Sequence, residues 1–201
     1  MAAWLMQPDI VQRLASIEGH LSDEEGGALL LAALHGPGQG AVVEIGSFMG
    51  RSTCFLALGC KMAGRGKVIA IDHFLGSPQQ QRGGAYEAAE VVLRGTTYPK
   101  FCENIGQAGL TDYVHATRKC SEDSACGWTT KIRLLFIDGD HAYESVKRDF
   151  TLYAPHVEPE GLICFHDVNW PDVARFHQEL ISCGWRHEFR VHSLAAISHP
   201  A

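Results

Sequence analysis

From residue 41 onward, short apolar runs alternate with longer segments whose apolar positions recur at helical spacing. The runs near 41–46, 67–72, 113–117, 132–138 and 161–166 read as buried strands, followed by a terminal pair near 185–191 and 194–198. Helices are predicted near 9–18, 22–35, 52–63, 86–94, 98–108, 142–154 and 172–183. This alternation predicts an α/β fold with a doubly wound, mostly parallel sheet covered by helices on both faces. Right-handed crossovers then put ligands at the carboxyl ends of the strands.

The chain reads as a single domain over 1–201, with an N-terminal helical cover over 1–38 and the sheet core over 40–201. At 201 residues and 46% hydrophobic content it is large enough to bury about 70% of its unfolded surface without metal or disulfide staples. The helices before residue 41 carry no legible chemistry and are expected to cover the site or to join copies into a homo-oligomer. A net charge of −6 without a basic run argues against nucleic acid or an anionic membrane as partner, and for a small molecule. The seven cysteines form neither C-x-x-C nor a paired framework, which suggests a reducing compartment. The start Met1-Ala2-Ala3-Trp4 lacks a basic segment before an apolar one, and no run approaches the about 18 apolar residues of a membrane span. A cytoplasmic protein is expected.

The most informative stretch is Ala41 to Ser52, where an apolar run stops at Glu44 and turns through Gly46 and Gly50 into a helical pattern. Glycines let backbone take positive φ and approach a ligand, and the first N–H groups of the next helix face the same crevice. Dinucleotide sites use G-x-G-x-x-G and keep anions away from the pyrophosphate; here the spacing is G-x-x-x-G with a carboxylate beside it. Glu44 therefore favours a cationic cofactor such as S-adenosylmethionine, which carries an ammonium and a sulfonium. Asp72, ending the second strand, is placed to accept both ribose hydroxyls, although an acid there also serves as a turn former. Candidate cofactor contacts are Glu44, Gly46, Ser47 and Ser52 around the loop, Asp72 and His73 beyond it, Asp138, and Ser121 at the adenine edge, where a serine is equally a helix cap. The polar, glycine-flanked segment His73 to Gly84 is a candidate lid or a plain surface loop.

Glu44, Asp72, Asp138 and Asp167 all end strands at one rim, and such a gathering of carboxylates costs energy unless a cation offsets it. Leu134 to Glu144 delivers Asp138 and then His141 across a tight turn, and the strand 161–166 ends in His166-Asp167. Asp138, His166 and Asp167 are expected to converge on a divalent metal, Mg²⁺, Mn²⁺ or Fe²⁺, with the histidine tilting the choice away from Mg²⁺. His141 is the candidate general base, taking a proton from a metal-acidified hydroxyl. Asp140 and His141 could instead cap the next helix, and His166 could be a hydrogen-bonded core residue.

With Val43-Glu44-Ile45-Gly46-Ser47-Phe48-Met49-Gly50-Arg51-Ser52 and Phe136-Ile137-Asp138-Gly139-Asp140-His141-Ala142-Tyr143-Glu144 together, the sequence resembles class I S-adenosylmethionine-dependent methyltransferases. More narrowly it is similar to the group of macrolide-sugar O-methyltransferases and cephalosporin hydroxylase-like proteins, over roughly residues 40–170. The resemblance implies a seven-stranded sheet with a reversed last hairpin and methyl transfer to a hydroxyl. It also implies a metal on Asp138, His166 and Asp167, and a base at His141. The chain departs from the sugar enzymes at His166, where they have Glu, and from catechol-type enzymes at Val168, where they have Asn. The resulting expectation is an O-methyltransferase for a small hydroxylated acceptor, a sugar or natural-product intermediate. The alternatives are a non-haem iron oxygenase on the same donors and a non-catalytic cofactor-binding subunit.

Overall fold

A computed structural model describes residues 8–200; the start of the chain, read above as lacking an export leader, lies outside them. In chain order the elements are α1 (Pro8–Ser16), α2 (Asp23–His35), β1 (Ala41–Ile45), α3 (Arg51–Ala63), β2 (Val68–Asp72), α4 (Ala89–Arg94), α5 (Tyr98–Gln107) and β3 (Val114–Arg118). They continue with α6 (Ser121–Ala125), β4 (Ile132–Ile137), α7 (Tyr143–Tyr153), β5 (Val157–Phe165), α8 (Pro171–Ser182), β6 (Arg186–Val191) and β7 (Leu194–Ser198). One seven-stranded sheet runs β3-β2-β1-β4-β5-β7-β6. Its first five strands pair in parallel, and β7 is antiparallel to both β5 and β6.

The two-residue period of the strands splits the core into two layers. Val42, Leu134, Phe136, Cys164 and Ala196 face α2, α3 and α5, while Val43, Leu135, Ile137, Ile163 and Ile197 face α7 and α8. The strand order reverses at β1 and β4, so the tips of these two strands open the crevice that Brändén's rule assigns to ligands. The N-terminal helices pack closely on α3, because a Cβ on Gly26 would meet the Phe55 ring and one on Gly59 would meet Leu30 and Ala33. Arg51, the first residue of α3, fixes them further. Its guanidinium donates to the carbonyls of Ala15, Ile17 and Leu21 and pairs with Asp23 at 2.7 Å.

Three elements differ from the pattern-based expectation. β5 begins at Val157 rather than near 161, with an irregularity that carries the pairing from Ile132↔Val157 to Leu134↔Leu162. Pro159 and Gly161, residues that weaken a strand interior, are accommodated where the ladder is already broken. The helix expected over 86–94 starts at Ala89, because the N–H groups of Tyr86 and Ala88 return to the carbonyls of Gln79 and Gln80. α6 has five residues, too few to show a helical period. No helix among the described residues is long and apolar enough to cross a membrane.

Candidate active site

The loop after β1 is shaped by contact with β4. Gly46 has φ +86°, and a Cβ there would lie 2.1 Å from the Asp138 carbonyl oxygen, so glycine satisfies both the conformation and the approach. Asp138 N–H in turn donates to Ile45 O at 2.9 Å. Gly50 enters α3 at φ +88° and supplies no side-chain cap, which leaves the first N–H groups of α3 without a side-chain acceptor. From β2, Asp72 Oδ2 accepts the N–H groups of Ser47 and Phe48 at 2.9 and 2.8 Å, and Oδ1 accepts that of Phe74 at 2.6 Å. The acid expected at the ribose therefore also organises the loop. Phe48, held at φ +46°, is a non-glycine residue in the left-handed region, where strain marks a backbone fixed by its surroundings.

Glu44 lies beneath this loop, 0% exposed. Its Oε2 accepts the Ser47 hydroxyl at 2.8 Å and the Thr53 hydroxyl, while Oε1 has no partner. Burial pushes its pKa from 4.5 to about 7 against the lowering effect of the Ser52, Thr53 and Ser47 hydroxyls. An orphaned, buried carboxylate oxygen is a strong acceptor for a cationic ligand.

Across the crevice stand the acids and imidazoles of β4 and β5. Asp138, His141 and Asp167 each offer one ligand atom within 4.8 Å of the others. His141 Nε2 is buried and lies 2.9 Å from Asp167 Oδ2, an ion pair when the imidazole is protonated. Burial works against a charge on His141, yet Asp167 and Asp138 lift its pKa above the ordinary value. His166 Nδ1 lies 3.2 Å from Asp138 Oδ1 and 3.3 Å from Asp167 Oδ2. Despite burial, these carboxylates raise the His166 pKa to about 11. Asp167 sits at φ +53°, a strained conformation that aims its carboxylate at both histidines. Donors on one ion with bonds of about 2.1 Å lie about 3 Å apart when adjacent. His166 Nδ1 stands at about this spacing from Asp138 Oδ1 and from Asp167 Oδ2, whereas the trio whose ligand atoms all lie within 4.8 Å of one another takes His141 in place of the expected His166.

The remaining expected residues make local hydrogen bonds. The buried Ser121 hydroxyl donates to Asp149 Oδ1 at 2.5 Å, and Asp149 underlies Gly139 in the turn carrying His141. His73 Nδ1 accepts the Leu75 N–H at 2.9 Å. Asp140 accepts the Ser145 hydroxyl at 2.7 Å, the turn-holding use left open by its sequence. Just beyond the candidate lid, the Tyr86 ring reaches His20 at 5.5 Å and Trp170 at 6.2 Å between centroids, and Trp170 in turn lies 4.6 Å from His141. Local pattern carried no sign of Trp170, of Asp149 or of Glu25, whose carboxylate lies behind His166.

Comparison with known proteins gives the fold and the family. The sequence profile of a family described as a methyltransferase domain matches residues 43–168, spanning both the β1 loop and the tip of β5. Among solved structures, a protein from Corynebacterium glutamicum is similar with a TM-score of 0.70 at 15% identity, covering 97% of this chain and 91% of the other. The O-methyltransferase TomG from Streptomyces achromogenes, involved in tomaymycin synthesis and solved with S-adenosylmethionine, gives 0.66 at 16% identity over 97% and 91%. An O-methyltransferase from Bacillus cereus, solved with S-adenosylhomocysteine, gives 0.65 at 21% identity over 96% and 92%. These likenesses establish the shared fold, and the profile match over more than half of the sequence places the chain in the methyltransferase-domain family.

Proposed function

We propose that the chain is one catalytic unit that transfers a methyl group from S-adenosylmethionine to a hydroxyl of a small acceptor, a sugar or natural-product intermediate. The observation that carries this reading is the juxtaposition of a cofactor loop and a proton-accepting cluster across Gly46, whose missing Cβ lets the loop rest on the Asp138 carbonyl. Glu44 Oε1 is free to bind the ammonium of the cofactor, directly or through water. Asp72 retains lone pairs for the ribose after taking its three backbone donors.

His141 is the base, and Asp167, 2.9 Å from its Nε2, stabilises the imidazolium that forms. The acceptor oxygen attacks the methyl carbon in line, the carbon–sulfur bond breaks, and the hydroxyl proton passes to His141. The products are a methyl ether and neutral S-adenosylhomocysteine. Asp138, His166 and Asp167 would hold a divalent ion, with two oxygens and a nitrogen suiting Mn²⁺ or Fe²⁺ better than Mg²⁺. When bound, such an ion lowers the pKa of the acceptor hydroxyl. The Tyr86 segment, resting on His20 and Trp170, excludes water and holds the reacting atoms in alignment.

The test is incubation of the full chain with methyl-tritiated S-adenosylmethionine and a panel of sugars, phenols and catechols, with and without Mn²⁺ after chelation. Label on an acceptor oxygen, lost in His141→Ala, is the expected result. Label only on nitrogen or carbon would reject the O-methyl reading, and equal turnover after chelation would reject the metal.

A further inference from the structure

Glu25 lies in the first turn of α2, in the N-terminal segment that carried no legible chemistry, and is 3% exposed. Its carboxylate is held from two sides. Oε1 accepts the N–H and hydroxyl of Ser193, in the β6–β7 turn, at 2.9 and 2.6 Å. Oε2 accepts the N–H and hydroxyl of Ser22 at 2.9 and 3.0 Å. The same Oε2 lies 3.4 Å from His166 Nε2, which is also 3.3 Å from the Ser193 hydroxyl. His166 is itself 3% exposed, so this edge of the ring meets protein groups.

We propose that Glu25 is a positioning residue of the metal centre: it accepts the Nε2 hydrogen of His166 and so turns Nδ1 toward Asp138 and Asp167. The inference rests on the metal-assisted reading above and adds a residue to it from outside the region that the family profile matches. An imidazole has one nitrogen to donate and one to ligate, and an acceptor fixed on one nitrogen decides which is which. Ligating histidines have their far nitrogen held in this way, and removing the holder costs about 10- to 100-fold in metal affinity. Four N–H and O–H donors clamp the Glu25 carboxylate, so its position is set independently of His166. The N-terminal helices thereby contribute to the site that they cover.

The experiment measures Mn²⁺ affinity by electron paramagnetic resonance for the full chain and for Glu25→Gln, with S-adenosylhomocysteine calorimetry as the control for folding. Glu25→Gln should bind Mn²⁺ about 10- to 100-fold more weakly while binding S-adenosylhomocysteine within about threefold of the parent. Parent-like Mn²⁺ affinity in a folded Glu25→Gln overturns the assignment and leaves the metal site standing. A parent protein that binds no divalent ion overturns the metal reading and this assignment with it. Where Glu25→Gln does not fold, Ser193→Ala replaces it, since the Ser193 N–H remains to hold Glu25. A loss of about threefold or more in Mn²⁺ affinity is then expected, and no loss overturns the proposal.

Discussion

Replacing Glu44 by Gln should make the apoprotein more stable above neutral pH and a weaker binder of its cofactor. In the unfolded chain the carboxyl ionises near 4.5, whereas in the folded protein burial holds the proton until about pH 7. Below 4.5 both states are protonated and the group is neutral toward stability. As pH rises from 4.5 to 7 the unfolded state alone gains from ionising, so the folded state loses stability through this window. At 1.36 kcal/mol per pH unit the full loss is about 3 kcal/mol, most of it between pH 5 and pH 8. Glutamine keeps an oxygen for the Ser47 and Thr53 hydroxyls and replaces one orphan atom, Oε1, by another. Urea unfolding at pH 5 and pH 8 reads the effect as the difference between variant and parent, in which all other titrations cancel. That difference should rise in favour of Glu44→Gln by about 2–3 kcal/mol between the two pH values. S-adenosylhomocysteine affinity should fall about 10- to 100-fold, the size of one charged hydrogen bond. A stability difference independent of pH, or unchanged cofactor affinity, would refute the reasoning.

Gly46→Ala should cost about 1–2 kcal/mol for the left-handed backbone and about 1–3 kcal/mol for a Cβ driven against Asp138 O, read by chemical denaturation, with loss of cofactor binding in calorimetry. Asp72→Asn turns an amide NH₂ toward the backbone donors of either Ser47 and Phe48 or Phe74, and should cost about 2–4 kcal/mol; an S-adenosylhomocysteine affinity equal to that of the parent would show that Asp72 is structural only. Thiol labelling of the native protein should modify exposed Cys102, Cys126 and Cys183, and reach buried Cys54, Cys60 and Cys164 only on unfolding. Burial pushes the Cys54 and Cys164 thiols up to about 12, which reinforces this order.

What was legible in the sequence is what depends on neighbours along the chain. The apolar runs ending in Glu44, Asp72, Asp138 and Asp167 announced both the sheet and the rim where these acids gather, because the strand period and the terminal acid are local. Glu25 was hidden by a complete local explanation: Ser22 and Glu25 form a capping box, which accounts for the glutamate without reference to His166, 141 residues away. The bond from Ser121 to Asp149 was hidden for the related reason that its partner belongs to α7, 28 residues on. The long β5 was obscured by Pro159 and Gly161, which weaken a strand wherever a broken ladder does not absorb them.

The most direct test of the central claim is calorimetric titration of S-adenosylhomocysteine into the folded full chain, repeated with Glu44→Gln and Asp72→Asn. One site per chain in the micromolar range, weakened in both variants, is the predicted result. Absence of binding by the folded protein, or binding that neither substitution affects, would contradict the account of the crevice between β1 and β4.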